Sequence, residues 1–270
     1  MAKIPLAEMW RRKRNPRRRE VTFAAIKPPA VMASNLYAAG YAPLIAHWNA
    51  AIHVIMAQYE RTLSSLSNDS AEDVGSIIES AEREASSVMV RLRIAIGAWA
   101  VVAEKWHRRK WASVVMTATG VDISAMIGPS DARMTVGASI ERNVGLIKSV
   151  SDQARQRISQ AVFDGLKKRK PATEVAKELR DAVSMSQRRA RNIASDQMTK
   201  ISSELASERR RQVGIDAWEW LHSGKLHPRE DHKARDGKRY TDETAPEDTP
   251  GELPFCGCVE RAVLSLDGEF

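Results

Sequence analysis

The sequence predicts a mainly α-helical protein with a long helical hairpin, a helical middle region and a small C-terminal α+β module. Apolar residues recur every three or four positions through most of the chain, which is the spacing of one helix face. After Gly214 the spacing changes to alternation in residues 217–222, as expected of a half-buried strand. The chain has 270 residues, 43% of them hydrophobic, and is therefore long enough to bury a sizeable core.

Four continuous segments are expected. Residues 1–35 are expected to form a basic arm, because charges are dense there and Lys27-Pro28-Pro29 favours extended chain. Residues 36–126 form the long hairpin, residues 127–214 the helical middle region, and residues 215–270 the α+β module.

The hairpin follows from two apolar patterns that a polar turn near Asn68 separates. The first pattern consists of Ile45, Trp48, Ile52, Ile55 and Tyr59. The second consists of Ile78, Ala81, Ala85, Val88, Leu92, Ala95, Trp99, Val102 and Trp106, and it predicts a helix of about 30 residues, roughly 45 Å long. Two long helices joined by a short turn favour an antiparallel hairpin. The second seam serves the core or, in part, a contact with neighbouring subunits.

Shorter helices are expected after a break at residues 120–129. They cover about residues 152–169, 173–182 and 186–213, with Ser186 as the N-cap of the third helix. Asp196 and Lys200 are four residues apart in that helix, which predicts a surface ion pair.

The C-terminal module is expected to contain three short strands. Residues 217–222 alternate and are rich in aromatic side chains, and residues 238–241 and 259–266 are two further candidates. Gly, Pro and acidic residues between them are typical of loops.

The net charge of +8 is concentrated at the N-terminus. Residues 1–19 contain eight Lys or Arg and one acid, so they carry +7 and the remaining chain only +1. Such a density of cations neutralises phosphates whatever the base sequence. The arm therefore predicts contact with a nucleic acid, or otherwise with an acidic protein surface, unless it only aids solubility. The candidate contact residues are Arg11, Arg12, Lys13, Arg14, Arg17, Arg18 and Arg19.

The cellular setting follows from what the sequence lacks. Its two cysteines exclude a disulfide framework, and the N-terminus has no apolar run of signal-peptide length before its charges. Because eighteen uninterrupted apolar residues occur nowhere, we expect no membrane span and a reducing cytoplasm as the setting.

A candidate zinc site lies in the C-terminal module. It consists of Cys256 and Cys258, whose thiolates are close enough to bind one ion, and of His227 and His232, which could complete a tetrahedron. His222 competes as a ligand. Zinc folds small modules that lack a core of their own, but the same residues could also be reduced cysteines and ordinary loop histidines.

The stretch from His227 to His232 also allows an enzyme interpretation. With Glu230 and Asp231, these histidines could bind a divalent ion and activate water, as in metal-dependent nucleases. The acids could equally belong to a solvated loop. The sequence contains no Walker loop, GxGxxG, HExxH or GxSxG motif.

Several separated motifs resemble the phage head morphogenesis family of Mu F-like minor head proteins. The motifs are Glu141–Ser149, Arg188–Lys200, Trp218-Glu-Trp220, Arg229-x-x-His232, Asp236-Gly237-Lys238, Pro250-Gly251-Glu252 and Cys256-x-Cys258. They occur in the family's order over about residues 135–265. The sequence departs from the family pattern in two ways. Gly257 stands where Arg is common, and Lys225 and His227 stand where the family often has Asp.

The resemblance implies a minor head protein of a tailed bacteriophage, assembled in the host cytoplasm and located in the virion near the portal vertex. It implies binding rather than catalysis, in head assembly, DNA packaging or DNA exit. The implied partners are the portal protein, other head proteins and, through the arm, packaged double-stranded DNA. The family pattern also favours Zn²⁺ at His232, Cys256 and Cys258, with His227 as the weaker fourth candidate.

Two alternatives to this function remain at the level of sequence. One is the metal-dependent nuclease or hydrolase, which acts on DNA. The other is a DNA-binding assembly factor that is absent from the mature virion.

Overall fold

A computed structural model describes residues 4–14, 18–65 and 69–267 of the chain. These residues form a mainly helical protein with a small sheet, which confirms the predicted fold class at that level. The helices are α1 (Leu6–Arg14), α2 (Ala30–Leu36), α3 (Ala42–Ser65), α4 (Asp69–Thr119), α5 (Arg133–Lys168), α6 (Ala172–Gln212) and α7 (Glu230–Ala234). The strands are β1 (Glu20–Thr22), β2 (Trp218–Leu221), β3 (Arg239–Tyr240) and β4 (Val259–Ser265). A π-helical turn (Tyr37–Tyr41) joins α2 to α3, and a 3-10 turn (Pro129–Ala132) precedes α5.

The chain folds into two compact units. Unit 1 comprises Met1–Met32, Ala100–Ser139 and Ser195–Phe270, and unit 2 comprises Ala33–Trp99 and Ile140–Ala194. Each unit combines distant stretches of sequence, because the long helices α4, α5 and α6 contribute residues to both. This division differs from the four continuous segments expected from the sequence.

In unit 2, α3 packs along the first part of α4. All five residues of the first apolar pattern, Ile45 to Tyr59, are buried. The ring nitrogen Nε2 of His47 lies 2.8 Å from the carbonyl oxygen of Ala81, which links the two helices. Helix α5 joins them through a 3.0 Å hydrogen bond from the indole of Trp48 to the hydroxyl of Ser151.

Helix α4 has 51 residues, and its buried face shifts along its length. Ile78, Ala85 and Trp99 are buried as predicted, whereas Val102 is 58% exposed and Ala103 is buried in its place. A seam with a period of 3.5 residues drifts by about 20° per heptad around a straight helix. The seam predicted beyond Trp99 is therefore wrong by one position.

Part of α4 is apolar and exposed. By length and composition the stretch Glu72–Thr119 is able to cross a membrane, since one 18-residue window has a mean hydropathy of 1.5. This is weak evidence, because core helices of soluble proteins pass the same test, although only 28% of this window is buried. Val90 and Ile94 are 72% and 76% exposed. The absence of membrane contact stays a prediction.

Helices α5 and α6 replace the three shorter helices that were expected. The periodic apolar positions are nevertheless buried, namely Ile158, Val162, Val175, Leu179, Ala190, Ile193, Ile201 and Leu205. Ser186 does not cap a helix. It lies inside α6, fully buried, and its hydroxyl donates to the carbonyl of Ala182 at 3.0 Å. Because that bond satisfies the hydroxyl within the helix, no helix end is needed there.

The sheet belongs to unit 1 and has the strand order β1-β4-β2-β3. All neighbouring strands are antiparallel; Trp218 pairs with Ala262, and Val21 pairs with Leu264. Strands β2, β3 and β4 confirm the three predicted strands. Strand β1 is additional and comes from the segment expected to be an arm.

The N-terminal segment therefore contributes to the core of unit 1. Leu6 and Trp10, four residues apart on one face of α1, are 0% and 3% exposed, and Phe23 is 1% exposed. They belong to one cluster of buried residues, which also contains Ile26, Trp111, Val115, Val121, Ile123, Ile127, Val213, Ile215, Ala262, Leu264 and Leu266. The described part of residues 1–35 thus differs from the extended tail that the sequence suggested.

Candidate metal centre

The structure brings together three of the four predicted metal ligands. The Nδ1 atom of His232 lies 3.4 Å from Sγ of Cys256 and 3.7 Å from Sγ of Cys258. All three side chains are buried. In a tetrahedral zinc site the bond lengths place a nitrogen and a sulfur ligand roughly 3.6 Å apart. The spacing and the chemistry of these donors therefore fit Zn²⁺.

Two elements position these ligands. Cys256 and Cys258 precede β4, and a turn closed by the hydrogen bond from the Cys256 N–H to the Leu253 carbonyl (3.0 Å) brings the first cysteine inward. His232 lies in α7, and its ring meets the Trp220 ring edge-on at a centroid distance of 5.0 Å. Because Trp220 belongs to β2, the sheet fixes the histidine relative to the cysteines.

The two thiols do not titrate alike. A hydrogen bond from Cys258 lowers the pKa of the Cys256 thiol, despite its burial. Sharing that proton raises the pKa of the Cys258 thiol. Backbone N–H groups of Gly251 and Ser223 donate to Cys256 and Cys258, respectively. Such donors favour thiolates, which are the form that binds a metal.

The other side of His232 is occupied by groups that the sequence analysis missed. Its Nε2 atom lies 2.6 Å from Oδ2 of Asp248, and Nη1 of Arg235 donates to Oδ1 of Asp248 at 2.7 Å. Burial opposes ionisation of Asp248, but the hydrogen bonds from Arg235 and His232 outweigh it and lower the pKa of the carboxyl. Arg235 follows His232 by one helical turn, a spacing that could have indicated it. Asp248 lies in a loop with no such signal.

Helix α6 anchors the loop that leads to the cysteines. Asp196 accepts a 2.5 Å hydrogen bond from the backbone N–H of Phe255, and Lys200 donates to the carbonyl of Glu252. Phe255 has φ 60°, a left-handed conformation that is uncommon for a non-glycine residue. The predicted ion pair between Asp196 and Lys200 is thus replaced by two contacts to one loop.

His227 is not part of the cluster. Its side chain is exposed in the loop before α7, and the two metal-compatible groups found among the described residues contain neither His227 nor Glu230. The second of these groups consists of Asp231, His232 and Asp248. It shares only Asp231 and His232 with the four residues of the hydrolytic interpretation.

The two departures from the family pattern lie side by side. A Cβ atom at Gly257 would come within 2.9 Å of Cε of Lys225 and 3.0 Å of Cβ of Ser223. Lys225 instead directs its ammonium group to the Phe255 carbonyl at 2.5 Å. The lysine stem therefore fills the space that a side chain at position 257 would need.

Two of the predicted nucleic-acid contacts, Arg11 and Arg19, are hydrogen-bonded to the C-terminal part of unit 1. Arg11 donates to the carbonyl of Leu266 at 2.8 Å, and Nε of Arg19 donates to Asp267 at 3.0 Å. Both remain exposed, as do Arg12, Lys13 and Arg18, and Arg12 lies 3.6 Å from Glu8. Arg17 and the side chain of Arg14 lie outside the described residues.

Comparison with known proteins supports the resemblance found in the motifs. Residues 156–261 match the family described as "Phage Mu protein F like protein". A Haemophilus influenzae protein described as "Uncharacterized protein" is 32% identical over 149 residues, which are 54% of this chain and 33% of that relative. The chain thus spans about a third of the length of that relative. No solved structure matches.

Proposed function

From the match of residues 156–261 to the Phage Mu protein F like family, we propose that this protein is a minor head protein of a tailed bacteriophage. It acts near the portal vertex in head assembly, DNA packaging or DNA exit, and it acts by binding rather than catalysis. The observation that carries the proposal is that the family match extends over the end of α5, the whole of α6 and the module that holds the His232, Cys256 and Cys258 cluster.

In this proposal the module is held together by Zn²⁺. His232, Cys256 and Cys258 would hold the ion, which supplies a crosslink between α7 and the start of β4. The module has a small apolar cluster of its own, Trp218, Trp220, Cys256 and Cys258, so the crosslink adds stability where the core is small.

Metal analysis of the purified full-length protein tests whether it binds Zn²⁺ at this site. We expect about one zinc per chain in the wild type and a loss of stoichiometric zinc in the Cys256→Ser and Cys258→Ser variants. His227→Ala is the matched control and keeps its metal. A wild type without bound zinc contradicts the proposed zinc site. DNA cleavage that depends on metal and His232, but survives the cysteine substitutions, favours the hydrolase instead.

The N-terminal cations are the proposed DNA contact. All five described cations of this group are exposed, but Arg11 and Arg19 are also hydrogen-bonded to residues of the C-terminal strand and the turn after it. Exposed cations on a folded edge neutralise phosphates without reading bases. Among the described cations, the proposed contact with packaged DNA therefore centres on Arg12, Lys13 and Arg18.

The exposed face of α4 in unit 2 is the proposed contact with the portal protein or another head protein. Val90 and Ile94 are one helical turn apart and both are largely exposed, and exposed apolar groups of this kind mark protein interfaces. Ile94→Glu is expected to leave the midpoint of unfolding unchanged and to reduce incorporation into heads. Glu141→Gln, at an exposed ion pair with Arg93, is the control. Normal incorporation of Ile94→Glu contradicts this contact.

Mass spectrometry of purified phage particles tests the proposed function as a whole. We expect peptides of this chain in mature heads at low copy number. Presence in assembly intermediates but absence from mature heads supports the non-virion assembly factor. Absence from both overturns the proposal.

A further inference from the structure

We propose that Asp248, which Arg235 holds in place, is a positioning residue that keeps the ring proton of His232 on Nε2 and so presents the lone pair of Nδ1 to Cys256 and Cys258. The inference rests on the zinc site of the proposed function. It identifies the group that determines which nitrogen of His232 is available for the metal.

The argument starts from the two sides of the His232 ring. Nδ1 faces two sulfur atoms at 3.4 and 3.7 Å, and Nε2 faces a carboxylate oxygen at 2.6 Å. A carboxylate is an acceptor only, so Nε2 must carry a proton to bond it. In the neutral imidazole the second nitrogen then has a free lone pair. The nitrogen left free is the one beside both thiols.

Asp248 is itself held firmly. Its Oδ1 accepts a 2.7 Å hydrogen bond from Arg235, so the two carboxylate oxygens have different partners and the carboxylate plane is fixed. Arg235 in turn lies over the Trp220 ring, 5.1 Å from its centroid, and 3.3 Å from Asp231. Trp220 thus contacts both His232 and the arginine that orients its partner.

Asp231 provides a matched control within the same cluster. Its carboxylate is 4.0 Å from Nε2 of His232, outside hydrogen-bond range, and its side chain is 55% exposed, compared with 18% for Asp248. Both carboxylates contact Arg235. A purely electrostatic influence on His232 would be shared by both acids, whereas control of the tautomer belongs to Asp248 alone.

The experiment uses the full chain with Co²⁺ and Zn²⁺ as probes. Titration with Co²⁺, followed by its thiolate charge-transfer absorption and by competition with Zn²⁺, is expected to give a 10- to 100-fold weaker affinity for Asp248→Asn, as outer partners of metal-binding histidines typically contribute. Asp231→Asn is expected to stay within about threefold of the wild type. Equal affinities for the two variants overturn the proposal.

A second measurement can overturn the proposal on the wild type alone. Long-range ¹H–¹⁵N correlation spectra of the metal-free wild type report which ring nitrogen of His232 carries the proton. We expect the Nε2–H form in the wild type and in Asp231→Asn, and a mixed or Nδ1–H form in Asp248→Asn. An Nδ1–H form in the wild type overturns the proposal even if Asp248→Asn fails to fold. A wild type that binds neither metal contradicts the proposed zinc site. The tautomer of His232 in the metal-free protein then still shows whether Asp248 holds the proton on Nε2.

Discussion

Replacing Trp10 by alanine tests whether the basic N-terminus is a folded part of the protein. Trp10 is 3% exposed and packs in the cluster of unit 1. A buried tryptophan removes on the order of 200 Å² from water, which at about 25 cal/mol per Å² corresponds to roughly 5 kcal/mol as an upper limit. We expect Trp10→Ala to lower the free energy of unfolding by about 3–5 kcal/mol.

The assay is equilibrium unfolding in urea, followed by far-UV circular dichroism. With a denaturant slope of about 3 kcal/mol per molar, the midpoint of unit 1 should fall by roughly 1–1.7 M. Arg12→Gln, on the exposed face of the same helix, is the control and should change stability by less than about 0.5 kcal/mol. If Trp10→Ala unfolds at the same urea concentration as this control, α1 is not part of the core. Deletion of residues 1–19 is unsuitable for testing DNA binding, because it also removes Leu6 and Trp10.

Three further predictions concern charge. Replacement of three exposed cations by glutamine should reduce the log–log salt slope of DNA binding by about 3, and an unchanged slope in filter binding at 50–200 mM salt would place the contact elsewhere. The three are Arg12, Lys13 and Arg18. Glu104→Gln removes the negative charge that lies 2.5 Å from the fully buried Arg209 and leaves it only Asp131 at 3.6 Å as an ion-pair partner among the described residues. This should destabilise unit 1 by about 3–5 kcal/mol in urea, and adding Arg209→Met should recover part of that loss. Burial is the main cause that lowers the pKa of His107 to about 3, and repulsion by Arg209 adds to it. Below the ordinary histidine pKa of 6.5 the unfolded chain therefore binds a proton that the folded chain does not. The free energy of unfolding falls as pH falls through that range. Between pH 7 and 5 the free energy of unfolding of the wild type should fall by about 2 kcal/mol more than that of His107→Leu. Equal losses in the two proteins would contradict a buried neutral histidine.

Local patterns were sufficient for the helical faces and for three strands. Val175, Leu179 and Leu205 are buried where the period places them, because a helix face repeats at 3.6 residues whatever the tertiary context. The boundaries of the helices were less predictable. Nothing between Ala182 and Ser186 breaks a helix, and the serine bonds back to the alanine carbonyl, so a residue typical of an N-cap became an internal one.

The N-terminal elements were not predictable in the same way. Among the side chains described in α1, only Leu6 and Trp10 are buried, and they lie among cations that dominate the composition. Strand β1 has three residues, and its partner β4 is more than 240 positions away in the chain, so no local pattern specifies the pairing. The metal cluster was predictable as far as its cysteines and His232. Asp248 was not, because its contact with the histidine depends on the path of an irregular loop.

The segment that matches the family contains only part of the fold of unit 1. The match over residues 156–261 ends after the third residue of β4, so the rest of that strand and all of β1 lie outside the matching segment. The cluster beneath β4 likewise needs Leu6, Trp10 and Phe23. A fragment limited to the matching residues would lack the part of β4 that pairs with β1. It would also leave Val213 and Ile215 without most of their buried cluster, and an apolar surface exposed in this way favours aggregation. The candidate metal cluster and the N-terminal cations both belong to unit 1. Under the proposed function, removal of metal and removal of α1 are therefore both expected to weaken DNA binding, the first by destabilising the fold and the second also by removing charges.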